Sequence, residues 1–308
     1  MPPRSPLPPR HGLGAAWVRT PDHDRTRPSP APTLGAWLRQ RLPDRVDVDA
    51  LLAEGRFVLQ DGTALRGDEP YRPHTFVWFH RDLREEPPVP GSVDVLHEDD
   101  RLLVVDKPPF LATIPRGRHV RQSVVVRLRD TLDLPELTPA HRLDRVTSGV
   151  LVLVKQRRFR GAYQSLFARR EVRKTYLALA PHRPGLGLPT TVRDHVRKER
   201  GTLRAEVVPG APVNAVTHVD VDAVGPDGTA VYRLRPETGR THQLRLHLSG
   251  LGVPIVGDPL YPDVLDVAVD DFGTPLQLLA HELTMVDPVD GATRTFASRR
   301  TLPLVVEE

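Results

Sequence analysis

The stretch Ser148-Gly149-Val150-Leu151-Val152-Leu153-Val154 constrains this chain more than any other. Five consecutive branched aliphatics leave no polar face, so the run predicts a core strand buried on both sides. Directly ahead stands His141-Arg142-Leu143-Asp144-Arg145-Val146-Thr147, a basic, turn-like segment with a single carboxylate. A polar loop hung on a core strand can hold a reactive group at a fixed angle, which makes Asp144 a candidate catalytic residue. The plainer reading is a turn residue or an ion-pair partner for Arg142 or Arg145.

Composition narrows the chemistry. The 308 residues contain no cysteine, which removes disulfides, thiolate metal sites and cysteine nucleophiles. No apolar run approaches the roughly 20 residues of a membrane-spanning helix. The N-terminus has no apolar core of signal-peptide length, so a cytoplasmic protein is expected. Lysine occurs only at Lys107, Lys155, Lys174 and Lys198, so nearly all of the 43 basic residues are arginine. Arginine binds phosphate bidentately and stacks on bases, which suits a nucleic-acid partner.

Residues 1–32, rich in Pro, Arg and Ser, read as a disordered or loosely attached arm. From Thr33 the pattern changes: Thr33 caps a helix with Leu34, Trp37, Leu38 and Leu42 on one face, and a second short helix over 48–54 stops at Gly55. Strands follow over 56–63 and 75–79. Two short helices ahead of a hairpin resemble the alpha-L (ribosomal-protein-like) RNA-binding domain. The match is degenerate, because Asp44, Asp47, Asp49 and Glu54 sit where that family carries more basic residues. Glu85-Glu86-Pro87-Pro88-Val89-Pro90-Gly91 reads as a linker, dividing a small domain over 33–86 from a larger one over 87–308.

In the larger part, 102–105 reads as a strand ending at Lys107, a position from which a cation can meet a phosphate. A helix is expected over 124–132, with Val125, Leu128 and Leu132 inward, and another over 157–173. Lys155, Arg157, Arg158, Arg160, Arg169, Arg170 and Arg173 crowd this second stretch against one acid, Glu171, and read as a phosphate-binding face. Strands follow over 175–180, 213–224 and 230–235. After Thr238-Gly239, a turn and helix-start signal, Leu244 and Leu248 share a helix face, with Arg245 beside it. His242 and His247 lie five apart, which is not the spacing of a helical metal pair.

Four segments together resemble the RluA family of RNA pseudouridine synthases: His97 to Pro108, His141 to Gly149, Lys174 to Leu179, and Thr238 to His247 with Gly257-Asp258-Pro259-Leu260-Tyr261. They occur in the family's order and span about 95–300. The resemblance implies an α+β fold, with a catalytic domain on a mostly antiparallel mixed sheet. It also implies isomerisation of uridine to pseudouridine in a structured RNA, ribosomal or transfer, with no metal or organic cofactor. Carried over by motif, Asp144 is the catalytic aspartate, Tyr176 the aromatic that stacks on the target uracil, and Arg245 the arginine ion-paired to that aspartate. Arg142 matches the arginine that displaces the target base, and Arg240 and His242 match a loop lining the site. Lys107 joins these as an RNA-binding candidate. Pro109-Phe110 departs from the small-residue, usually glycine, turn of the family.

These residue types fit the chemistry. The reaction breaks the bond from ribose to the ring nitrogen, turns the uracil, and rejoins it through carbon five. An ionised carboxylate can attack the anomeric carbon or remove the 2′ proton to give a glycal. A displaced base needs a planar substitute in its stack, which a guanidinium supplies. Two other readings remain: a noncatalytic RNA chaperone, which needs no carboxylate among phosphates, and a nucleoside or glycoside hydrolase, which would release free uracil. A monomer is the default expectation.

Overall fold

The structure, a computed structural model, describes residues 2–22, 26 and 28–304. It divides into two compact units, Met1–Glu85 and Glu86–Glu308. In the first, β1 (Ala16–Arg19), β2 (Val58–Leu59) and β3 (Phe76–Phe79) form an antiparallel sheet in the order β1-β3-β2. Helices α1 (Leu34–Arg41) and α2 (Val48–Ala53) start on side-chain caps: Thr33 accepts from the Ala36 N–H at 3.1 Å and Asp47 from the Ala50 N–H at 2.9 Å. Trp37, Leu38, Leu51, Phe57 and Val77 fill the core between helices and sheet. The arm expected over 1–32 therefore needs correcting, because Ala16–Arg19 pair along β3. Residues 1, 23–25 and 27 of that arm lie outside the described residues.

The second unit runs β4 (Asp94–Glu98), β5 (Leu102–Lys107), α3 (Val124–Thr131), β6 (Thr138–Pro139), β7 (Ser148–Val154), α4 (Arg160–Ala168), β8 (Val172–Pro181), β9 (Thr190–Asp194), β10 (Val196–Arg197), β11 (Glu206–Val207), β12 (Ala215–Val224), β13 (Thr229–Pro236), α5 (Gln243–Gly250), β14 (Leu278–Val286) and β15 (Thr293–Ala297). Ten strands form one mixed sheet in the order β4-β5-β7-β14-β8-β13-β12-β9, with β6 on β7 and β15 on β14. Every pairing is antiparallel except β7 with β14. The run that opened the argument is β7, buried throughout. Its alternate residues feed two cores: Leu151 and Leu153 enter one, and Val150, Val152 and Val154 the other.

The parallel contact is short, Leu279 opposite Ser148 and Ala280 opposite Gly149. It depends on glycine: Gly149 has φ +107°, and a Cβ there would stand 2.3 Å from the Ala280 carbonyl oxygen. Beyond Ala280, β15 takes over the edge of β14 that β7 leaves. The strand centre β7-β14-β8 thus carries the polar loop on one side and Tyr176, in β8, on the other.

Several local expectations change. The segment from Glu86 is docked, not free: the Glu86 carboxylate accepts backbone N–H groups of Val120, Arg121 and Gln122 at 2.8–3.0 Å, and Val89 is buried. Leu132 is exposed, because α3 ends at Thr131. The helix expected over 157–173 is a 3-10 turn, Arg157–Phe159, then α4, then an Arg170 with φ +62° that turns the chain into β8. Its basic residues are consequently not carried on a single helix. Lys155 pairs with Glu98 at 2.7 Å, Arg169 with Glu171 at 2.7 Å, and Arg160 reaches the Glu136 carbonyl.

Candidate active site

The loop that leads into β7 is held by its backbone. The Thr113 hydroxyl donates to the Leu143 carbonyl at 2.7 Å and accepts the Leu143 N–H at 3.1 Å. Lys107 Nζ donates to the carbonyls of Pro108, Leu111 and Arg145 at 2.9, 2.7 and 3.0 Å. The His141 ring stacks on Phe167 at 4.4 Å, and its Nε2 accepts the Val152 N–H at 3.2 Å. Burial pushes that imidazole down to about 3, so it stays neutral, as an accepting Nε2 requires.

Lys107 is thereby corrected. Its side chain is wholly buried and presents nothing to an RNA phosphate. Burial pulls its pKa down and the nearby Asp144 charge pulls it up, while three carbonyl acceptors match the three N–H donors of an ammonium. Phe110 completes this corner. It takes φ +64°, the conformation that a glycine would adopt freely, and is kept there by burial, by Phe272 at 5.5 Å and by Arg145 over its ring at 5.8 Å.

A cleft of about 470 Å³ opens above this loop, and Asp144, Arg142, Tyr176, Arg240, His242 and Arg245 all line it. Six elements converge there: the loop before β7, the end of α4, β8, the turn after β13, α5 and the start of β14. Among the described residues no hydrogen bond reaches the Asp144 carboxylate, and the nearest ionisable nitrogen is His242 Nε2 at 4.0 Å. Tyr176 is half-buried, and burial together with the Asp144 charge pushes its phenol well above the ordinary value, so the ring remains a neutral flat surface. Arg142 and Arg240 are exposed, the latter donating to the Asn214 carbonyl at 3.3 Å.

The second loop, 238–245, is bolted by side chains. Gln243 accepts from the Thr238 hydroxyl at 2.7 Å and the Arg240 N–H at 3.0 Å, and donates to the Val216 carbonyl at 3.0 Å and the Thr217 hydroxyl at 2.9 Å. Arg245 does not pair with Asp144. It is 2% exposed and bidentate on Asp258, with Nε at 2.8 Å, and lies over the Tyr261 ring at 5.3 Å. The motif Gly257 to Tyr261 therefore serves as a platform: Asp258 takes the guanidinium and the Tyr261 hydroxyl meets His242 Nδ1 at 3.0 Å.

Sequence reasoning missed three features: Asp258 as the partner of Arg245, the approach of His242 to Asp144, and Lys174 in the cleft wall two residues before Tyr176. Only the last had a sequence signal, since i and i+2 on a strand share a face.

A sequence model of the family described as RNA pseudouridylate synthase matches residues 101–250. The chain is 34% identical over 216 residues to the dual-specificity RNA pseudouridine synthase RluA of Salmonella typhi, covering 68% of this chain and 94% of that one. It is 33% identical over 232 residues to the RluA of Haemophilus influenzae, covering 70% and 97%. Among solved structures, human RNA pseudouridylate synthase domain containing 4 superposes with a TM-score of 0.53 at 27% identity, over 68% of this chain and 89% of that one. Domain containing 1 superposes at 0.56 and 24% identity, over 70% and 86%, a likeness of fold.

Proposed function

The chain belongs to the RluA family of RNA pseudouridine synthases and isomerises uridine to pseudouridine in RNA; from that premise we propose that Asp144 is the carboxylate that does so. The observation that carries the reading is an aspartate on a rigidly clamped loop, lining a cleft, with none of its own oxygens engaged. A carboxylate already tied to arginine would lose nucleophilicity, whereas this one is free to attack the anomeric carbon or take the 2′ proton. Lys107 lies close enough for its ammonium to feel the Asp144 charge, and His242 Nε2 stands 4.0 Å from the carboxylate.

In this reading the flipped uracil lies on Tyr176, where stacking on an aromatic is worth roughly 1–3 kcal/mol per base. Arg142, exposed at the cleft mouth, fills the vacated place in the RNA stack. Arg245 acts at one remove, setting the start of α5 through Asp258. The substrate is a structured RNA, ribosomal or transfer, met by a cytoplasmic monomer without a cofactor. The first unit, with β1 included, is a degenerate alpha-L-type accessory domain, in which Arg39 of α1 is already paired with Asp49.

Replacing Asp144 by Asn keeps size and shape and removes the charge. The expected result is undiminished RNA binding with pseudouridine formation lost. An Asn variant that forms pseudouridine at the wild-type rate would sink the assignment.

A further inference from the structure

His242 occupies a conformation uncommon outside glycine. At the N-terminus of α5 it has φ 59° and ψ 15°, in the left-handed region, although it is not glycine. That backbone turns its ring into the cleft, where 10% of the side chain stays exposed. Hydrogen-bond accounting then fixes which nitrogen carries the proton. The Tyr261 hydroxyl has one proton, and the Ala205 carbonyl at 2.9 Å takes it; the same oxygen accepts the Ala205 N–H at 2.8 Å. Its remaining lone pair can only accept, so His242 Nδ1 must be the donor at 3.0 Å. The neutral ring therefore presents an unprotonated Nε2 to the cleft, 4.0 Å from the Asp144 carboxylate.

We propose that His242 is the proton acceptor for carbon five of the rejoined uracil, its Nε2 lone pair held in place by the Tyr261–Ala205 hydrogen bonds. The inference rests on the reading of Asp144 given above. Once the ring has joined the ribose through carbon five, that carbon still bears its hydrogen and the ring holds a double bond between N1 and carbon six. Nε2 takes the proton, the carbon–hydrogen electron pair restores the double bond between carbons five and six, and the N1–carbon-six π pair returns to N1. N1 then receives a proton from the imidazolium or from water, so the step moves one proton within the base and needs no co-reactant.

The timing suits the pair. By either route Asp144 ends as a free carboxylate when the carbon–carbon bond is complete, and an imidazolium formed 4.0 Å away is stabilised at that moment. Before it, burial and the Arg245 and Lys198 charges keep the ring neutral against the opposing charges of Asp144 and Asp258. Tyr261 is a positioning residue: its hydroxyl sets the tautomer and touches no reacting atom.

The test uses RNA deuterated at carbon five of the target uridine, in single turnover. His242→Gly suits the left-handed backbone and His242→Gln keeps a polar side chain; both should slow turnover by about 100-fold or more. They should also develop a deuterium effect larger than wild type, and imidazole should restore the Gly variant. A wild-type deuterium effect in both variants, at any rate, overturns the assignment, as does a Gly variant without product that imidazole fails to revive. Neither result bears on Asp144, whose own test is the Asn variant.

Discussion

The two loops that meet at the cleft are secured by opposite means. Residues 141–147 are gripped mainly through main-chain groups by side chains far away in sequence, Thr113 on Leu143 and Lys107 on Arg145, with the loop's own His141 ring on strand β7. Residues 238–245 are gripped through their own side chains, with Gln243 spanning Thr238, Val216 and Thr217, Arg245 on Asp258 and His242 on Tyr261. The difference follows from what each must present. A carboxylate that reacts must keep its oxygens unengaged, so its loop is fixed through the backbone and through side chains other than that carboxylate. A base or a spacer can be fixed by one atom and act with another, as His242 does with Nδ1 and Nε2.

The largest effects should come from the backbone-gripped loop. Lys107→Met leaves three carbonyls without their donor and should cost about 3–5 kcal/mol in urea unfolding, the scale for stranding partners of a buried charge. Turnover should fall with it, because the Arg145 carbonyl is one of the three. A loss below about 1 kcal/mol would mean that Thr113 and the strand suffice. On the other loop, Asp258→Asn leaves the Arg245 guanidinium buried against a neutral partner and should cost roughly 3 kcal/mol. RNA binding should be little changed, because Arg245 is almost wholly buried. If turnover also survives, the two loops are less coupled than their shared cleft implies.

A pH series probes the grip of His141. Its folded-state pKa of about 3 lies below the ordinary value of 6.5, so as pH falls the unfolded chain binds a proton before the folded one does. The stability present above pH 6.5 is therefore lost between pH 6.5 and 3, at up to about 1.4 kcal/mol per pH unit. Measured side by side, His141→Asn should lack that part of the slope. Equal slopes in variant and wild type would show that the ring is not holding the Val152 N–H as a neutral acceptor.

How much of this was legible in the sequence depended on whether a residue's role lies in its own segment. Val150 to Val154 have no polar position among them, so their burial could be read directly, and the strand fixed where the Asp144 loop must sit. Lys107 looked identical to a surface lysine at a strand end, because only the fold lowers the Arg145 carbonyl onto it. Arg245 carried a motif but no indication of its partner, since the chain between α5 and Asp258 contains no regular element to read a distance from. Trp17 and Val18 belong to a strand that the surrounding Pro and Arg disguised, and the left-handed Arg170 ended a helix where charge density had suggested continuity. Composition describes a segment's solvent, whereas the contacts of Lys107 and Arg245 were set by a neighbour from elsewhere in the chain.

The smallest effect should come from the group that stands between the loops. Lys174 projects from β8 on the face that carries Tyr176; its charge is felt by His141 of one loop, and its Nζ lies 3.8 Å from where a Gly239 side chain of the other would begin. Among the described residues it has no hydrogen-bond or ion-pair partner, and burial, then the Arg170 charge, draws its pKa below the ordinary lysine value. A desolvated ammonium without a counter-ion is stabilised by any anion entering the cleft, and the RNA backbone brings one. Lys174→Gln should therefore weaken RNA binding only a few-fold at moderate salt while lowering the slope of log affinity against log salt by about one. An unchanged slope would remove Lys174 from the RNA contacts.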